Sequence, residues 1–87
     1  MAVKFYHRPQ CGLCREIEGP LLRYAAQYRV AVEPVNIDEN KAAFALYWDK
    51  IPVVEIEGEA NLCEPIALEA LRTALQRAGR GRGEIRD

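Results

Sequence analysis

Apolar and polar positions change their spacing several times along the chain, and each change marks an element. Val3-Lys4-Phe5-Tyr6 alternates and then turns aromatic, which predicts a short strand. Pro9 interrupts any ladder, so His7-Arg8-Pro9-Gln10 reads as a loop. From Gly12 onward, Leu13, Ile17, Leu21, Tyr24 and Tyr28 fall three or four residues apart, one face of a helix. Gly19-Pro20 lies inside that helix. A proline there removes one backbone hydrogen bond and crowds the preceding turn, so a kink is expected near Glu16.

Val30 to Val35 is apolar and β-branched, a second strand. Asn36 with Glu39 at capping-box spacing, or Asp38 itself, then opens a second helix of about ten residues ending near Trp48. Tyr47 and Trp48 read as a cover at its end rather than a binding platform. Ile51-Pro52-Val53-Val54-Glu55-Ile56 is a third strand opening on a proline. Glu57-Gly58-Glu59-Ala60 reads as a hairpin turn, and a short fourth strand runs into Leu62. The last helix is expected to begin near Cys63-Glu64-Pro65, where a first-turn proline does no harm. Its buried face is Ala67, Leu68, Leu71, Ala74, Leu75 and Ala78.

The predicted order is β-α-β-α-β-β-α, an α/β chain. Strands joined by helical crossovers are expected to pair in parallel, and the final tight connection to make an antiparallel hairpin. The result is a four-stranded mixed sheet flanked by three helices, formed by residues 1–78. Residues 79–87, rich in glycine and arginine and poor in apolar residues, are expected to be a disordered tail.

Eighty-seven residues hold one core. A net charge of −1 provides no general attraction to nucleic acid or to an anionic membrane. The longest apolar run, Ala42 to Trp48, falls far short of the roughly 20 residues a bilayer crossing needs. The first residues lack the apolar core and cleavage site of a secretory signal, so a cytoplasmic location is the expectation. In that reducing setting three cysteines are a poor structural framework. Cys11 and Cys14 form a C-x-x-C pair, which in such a chain is either redox-active or half of a metal site. Zinc wants four ligands, and only His7 and Cys63 could complete the set. The spacing favours redox chemistry, with no metal and no tightly bound cofactor.

A thiol attacks disulfides as its thiolate, and an ordinary cysteine is mostly protonated at neutral pH. Placing Cys11 just before a helix offers free N–H groups and the positive dipole end to that anion. Cys14, one turn in, can close a disulfide with it. The outer cysteine is then the nucleophile and the inner one its resolving partner. His7, Arg8 and Arg15 add positive potential, partly offset by Glu16 and Glu18.

A strand, a loop, a C-x-x-C opening a helix, and an Ile51-Pro52 some forty residues later followed by β-β-α resembles the glutaredoxin and thioredoxin family. The resemblance spans residues 3 to 78, and the lack of an extra N-terminal strand and helix is similar to the glutaredoxin branch. It implies a thioredoxin fold and a thiol–disulfide oxidoreductase acting on disulfides or glutathione mixed disulfides. Glutathione would be co-substrate, with protein disulfides and glutathione or a thioredoxin-type reductant as partners, and a monomer as the working state. It further implies a cis peptide bond before Pro52, with the Ile51 N–H and C=O presented beside Cys11 to an extended thiol. Arg8 matches a basic position that meets a glutathione carboxylate, a task suited to a guanidinium fork. Gly12, Leu13, Cys63 and Glu64 occupy further substrate-contact positions. Gly12-Leu13 stands where glutaredoxins commonly carry Pro-Tyr, and Ala60 to Glu64 lacks their Gly-Gly pair.

Several residues keep a plainer reading. His7 could tune Cys11 or simply end a strand in solvent. Cys63 could be a small apolar filler or a third thiol near the active pair. Pro52 could be an edge-strand proline, and Arg8 and Arg15 solvated cations. The competing function is a redox-inactive or redox-sensing binding module on the same fold, with metal binding as one form of it. A nucleic-acid role for the arginines of residues 79–87 is the weakest reading.

Overall fold

The computed structural model describes the backbone of residues 2–86 and the side chains of residues 3–79. Its elements are β1 (Ala2–His7), α1 (Gly12–Tyr28), β2 (Ala31–Asn36), a 3₁₀ turn (Ile37–Glu39), α2 (Lys41–Tyr47), β3 (Val53–Ile56), β4 (Leu62–Cys63) and α3 (Leu68–Arg86). The four strands form one mixed sheet in the order β2-β1-β3-β4. β1 and β2 run parallel, and β3 is antiparallel to both β1 and β4.

Alternation along each strand sends side chains to opposite faces. Val3 and Phe5 of β1 and Val54 and Ile56 of β3 pack beneath α1 and α3, against Ile17, Leu21, Ala25, Leu71, Ala74, Leu75 and Ala78. Tyr6 and Val53 point the other way, into a smaller cluster with Ile37 and Ala43 under α2. Burying each such leucine or isoleucine contributes about 1.5–3 kcal/mol, so the first face carries most of the stability. No polar or charged residue is buried among the described residues.

The sheet differs from expectation at β3, which runs antiparallel to β1 although a helix precedes it. Tyr6 pairs with Val35 near the end of β2 and with Val53 at the start of β3, so the chain leaves and re-enters at the same end of the sheet. With only seven residues, α2 is about 10 Å long and carries the chain across the sheet rather than back along it. The ends of β1, β2 and β4 and the start of β3 therefore meet at one edge of the molecule.

The helices also depart from the sequence reading. Two separate caps replace the one expected: Asn36 accepts the Asp38 N–H at 2.9 Å in the 3₁₀ turn, and Asn40 accepts the Ala43 N–H at 3.0 Å to open α2. The first α3 residue is Leu68, and Cys63 belongs to β4, paired with Val53. The sheet claims Cys63 because its side chain packs on the Tyr6–Val53 cluster. Pro65 consequently sits in a loop before the helix, after a cis Glu64–Pro65 bond. Ala67 and Leu68, expected inside, are exposed, as is Leu13 of α1.

The expected tail is helical as far as the backbone is described, because α3 continues to Arg86; Asp87 lies outside the described residues. Extending an anchored helix needs no new nucleus, and arginine is a good helix former. Gly79 is part of the anchor. A Cβ there would collide with the Tyr28 carbonyl oxygen and lie 2.9 Å from the Tyr28 Cβ.

Candidate redox site

Cys11 occupies the N-cap of α1 with extended φ and ψ of −95° and 107°. The residue before it, Gln10, has a left-handed φ of 63°, uncommon for a residue with a Cβ, and turns the chain out of the loop. An extended cap aims its side chain back over the first turn, where helix N–H groups lack partners. The Cys14 N–H donates to Cys11 Sγ at 3.1 Å, and the first turn carries no acidic residue to oppose negative charge on that sulfur. The two cysteines are joined as a disulfide with Cα atoms 5.2 Å apart, inside the usual range for such a bond.

The pair is asymmetric. Cys11 is half-buried, whereas Cys14 is 4% exposed within the α1–α3 core. Gly12 and Leu13 between them face solvent. The sulfur that can be approached is therefore that of Cys11.

At the same end of the sheet lies the Ile51–Pro52 bond, which is cis, with Pro52 fully buried and Ile51 packed against both clusters. One implied role is corrected. The Ile51 N–H donates to the Tyr47 carbonyl at 3.2 Å, closing the C-terminal end of α2, so it is not free to pair with a substrate. The Lys50 N–H donates to the same Tyr47 carbonyl at 2.9 Å, and the Trp48 N–H to that of Phe44 at 3.0 Å.

Arg8 is already engaged. Its Nε donates to Asp38 Oδ1 at 2.9 Å, and its guanidinium lies over the Phe44 ring, 5.4 Å from the centroid. Both charged side chains remain about two-fifths exposed. Arg15 is exposed, and His7 stacks on Phe5 with ring centroids 5.4 Å apart.

Cys63 is free and half-buried, but its side chain belongs to the α2 face with Tyr6 and Tyr47, whereas Cys11 packs with the α1–α3 face. The expectation that it shares a face with the active pair is thus corrected, since alternation along β4 turns it the other way. The Glu64 side chain is exposed, and its N–H donates to the Lys50 carbonyl at 3.3 Å, tying the Pro65 loop to the Pro52 loop. On the same face of the sheet, the Tyr6 hydroxyl donates to Glu55 Oε1 at 3.0 Å. Burial, aided by that bond and the Glu55 charge, pushes the Tyr6 pKa up to about 12. Tyr47, 4.6 Å from Tyr6 between ring centroids, is raised chiefly by burial, with Glu55 and Cys63 adding to it. Of the pair expected to cover the end of α2, Tyr47 packs against this cluster, whereas Trp48 is 56% exposed.

Sequence reasoning missed Asp38 and Phe44 as partners of Arg8. Asp38 had only a capping signal, and Phe44 stood within the apolar run Ala42 to Trp48, which was weighed only as a membrane span. Among the described residues no group of three or more His, Cys, Asp or Glu side chains is gathered to hold a metal ion. Nor is any helix among them long and apolar enough to cross a membrane.

Comparison with known proteins agrees with this geometry. A structure from X. campestris, the structural genomics target protein XcR50, is similar at 28% identity and a TM-score of 0.66, covering 87% of this chain and 97% of that one. Thioredoxin 1 from the thermophilic eubacterium Thermosipho africanus superimposes with a TM-score of 0.75 at 14% identity, over 95% of this chain and 99% of that one, which shows the thioredoxin fold. No curated protein matches. The glutaredoxin-like domain (DUF836) family model covers residues 2–76, from β1 well into α3 and including both cysteines of the pair; to that family this chain belongs.

Proposed function

We propose that this chain is a thiol–disulfide oxidoreductase of glutaredoxin-like type, reducing disulfides or mixed disulfides through Cys11 and Cys14. The observation that carries the reading is the asymmetric pair: an approachable sulfur at a helix N-cap, bonded to a buried one a single turn further in. In the reduced protein, the Cys11 thiolate attacks one sulfur of a substrate disulfide. A Cys11–substrate bond forms, the substrate S–S bond breaks, and the departing thiolate takes a proton from water. Cys14, deprotonated in turn, attacks Cys11 Sγ. The Cys11–Cys14 bond forms, and the second substrate thiolate leaves and is protonated. Two electrons pass from the dithiol to the substrate. A small thiol such as glutathione, or a dithiol reductant of thioredoxin type, restores the pair by the reverse exchange. The reading places the protein in a reducing cytoplasm, working as a monomer on protein disulfides.

Mass spectrometry after mixing reduced protein with oxidised glutathione tests it. The wild type should end as the intramolecular disulfide, Cys14→Ser should accumulate a glutathione adduct on Cys11, and Cys11→Ser should stay unmodified at Cys14. If Cys11→Ser is oxidised as fast as the wild type, the proposal is wrong.

A further inference from the structure

Four residues, Arg8 to Cys11, carry the chain from the end of β1 at His7 to the first residue of α1, Gly12. We infer that Gln10 is a positioning residue: its left-handed backbone sets Cys11 at the start of α1 and thereby governs how readily the Cys11 thiolate forms. The inference rests on the exchange reading above and deepens it by naming what keeps the sulfur in place once the disulfide is open.

The linker has little freedom. Pro9 fixes its own φ, and the residue before a proline is held extended, so neither Arg8 nor Pro9 can redirect the chain. Cys11 is committed to the extended φ and ψ of a helix cap. The change of direction therefore falls on Gln10, whose φ is 63°. A proline followed by a left-handed residue is the pattern of a tight turn, but the second place favours glycine or asparagine. Among the described residues, Arg29 is the other left-handed non-glycine, and it closes the C-terminal end of α1 by donating to the Ala25 and Ala26 carbonyls. Gln10 ends no helix, and its side chain is exposed, so what the position contributes is its backbone.

In the oxidised protein the bond to Cys14 and the Cys14 N–H both hold Cys11 Sγ. Reduction removes the first. The sulfur then stays over the helix start only while Gln10 keeps its turn. A negative φ at residue 10 would swing the cap away from the Cys14 N–H and from the unpaired N–H groups of the first turn. Those groups stabilise the anion, so the turn raises the thiolate fraction of Cys11 at neutral pH. Backbone strain held beside a reacting group is preorganisation of that group.

The test varies the tolerance of residue 10 for positive φ. Asparagine accepts it, whereas β-branched valine and threonine resist it. Reduced proteins are alkylated with iodoacetamide across a pH series, and labelling of Cys11 is read by peptide mass spectrometry. Gln10→Val should slow that labelling at neutral pH roughly three- to tenfold, the scale of one hydrogen bond, and move its pH midpoint upward. Gln10→Thr should shift both in the same direction and decides the matter if Gln10→Val does not fold. Gln10→Asn should return both to the wild-type values. A purely structural role would lower the Tm of the β-branched variants and leave the pH midpoint in place. An unmoved midpoint in a folded β-branched variant, or an equal shift in Gln10→Asn, overturns the inference. Iodoacetamide reads the thiolate without any exchange. If the wild type fails to exchange with bis(hydroxyethyl) disulfide, the exchange reading fails, while the alkylation profile still decides the role of Gln10.

Discussion

The backbone N–H of Cys14 points at Cys11 Sγ across 3.1 Å, so the buried cysteine helps hold the half-buried one before any substrate arrives. The interaction involves the backbone of Cys14 and survives replacement of its side chain. The two cysteines are therefore separable by mutation.

Differential alkylation follows from that separation. In the reduced protein at neutral pH, iodoacetamide should label Cys11 about tenfold or more faster than Cys14, since reactivity follows thiolate character and access. Cys14→Ser should preserve the Cys11 rate within about threefold, because the N–H contact persists. Peptide mapping of partially labelled protein measures both. Equal labelling of the two cysteines would contradict the asymmetry.

Gly79 provides a stability test far from the chemistry. Gly79→Ala gains helix propensity of about 1 kcal/mol, yet its Cβ would be driven into the Tyr28 backbone, where no side chain can rotate away. Overpacking of that kind costs about 1–3 kcal/mol. The net expectation is a loss of up to about 2 kcal/mol and a Tm lowered by up to roughly 16 °C. Thermal unfolding followed by circular dichroism measures it, and a stabilised variant would show that α1 and α3 are less tightly apposed than described.

Much of this was legible in the chain. Strand alternation at Val3 to Tyr6 and the helical spacing of Ile17 and Leu21 are local signals, and the structure keeps both. The C-x-x-C at a helix start marked the candidate site by its spacing, and Pro52 before β3 was added to it by the family resemblance. What stayed hidden depends on partners distant in sequence. Cys63 looked like a helix start because Pro65 follows it, but a pairing with Val53 and the Tyr6 cluster draw it into the sheet. Gly79 looked like the first residue of a tail because its use, close approach to Tyr28, leaves no mark on spacing. Arg8 was read as an available cation, since nothing in the sequence couples it to Asp38 thirty residues on.

α2 is only seven residues long, too short to persist without help, and its cap is a single side chain. Asn40→Ala removes the acceptor of the Ala43 N–H and should cost about 1 kcal/mol. Hydrogen exchange should show the loss concentrated in α2, at Ala43 and its neighbours, while the amides of α1 and α3 fall only by the global amount. A uniform change across all helices would mean that α2 unfolds only with the whole domain.

The Tyr6–Glu55 bond gives stability a pH dependence whose sign can be worked out. The folded pKa of Tyr6, about 12, lies above its ordinary value of 10.0, so folding favours the neutral phenol. The contribution is present in full below pH 10 and is lost as the pH rises from there through 12. Allowing for solvent near the hydroxyl, it amounts to about 1–2 kcal/mol. Tyr6→Phe should be about 1 kcal/mol less stable than the wild type at neutral pH, having lost the bond to the Glu55 carboxylate. Above pH 10 the gap should narrow, because only the wild type still has that phenol to ionise. Denaturant unfolding of both proteins at pH 7 and pH 11 gives the two differences, and absorbance titration should show the highest-pH tyrosine step missing from the variant. A gap that stays constant across that range would mean Tyr6 titrates like an unburied phenol and its hydroxyl is not held by Glu55 in solution.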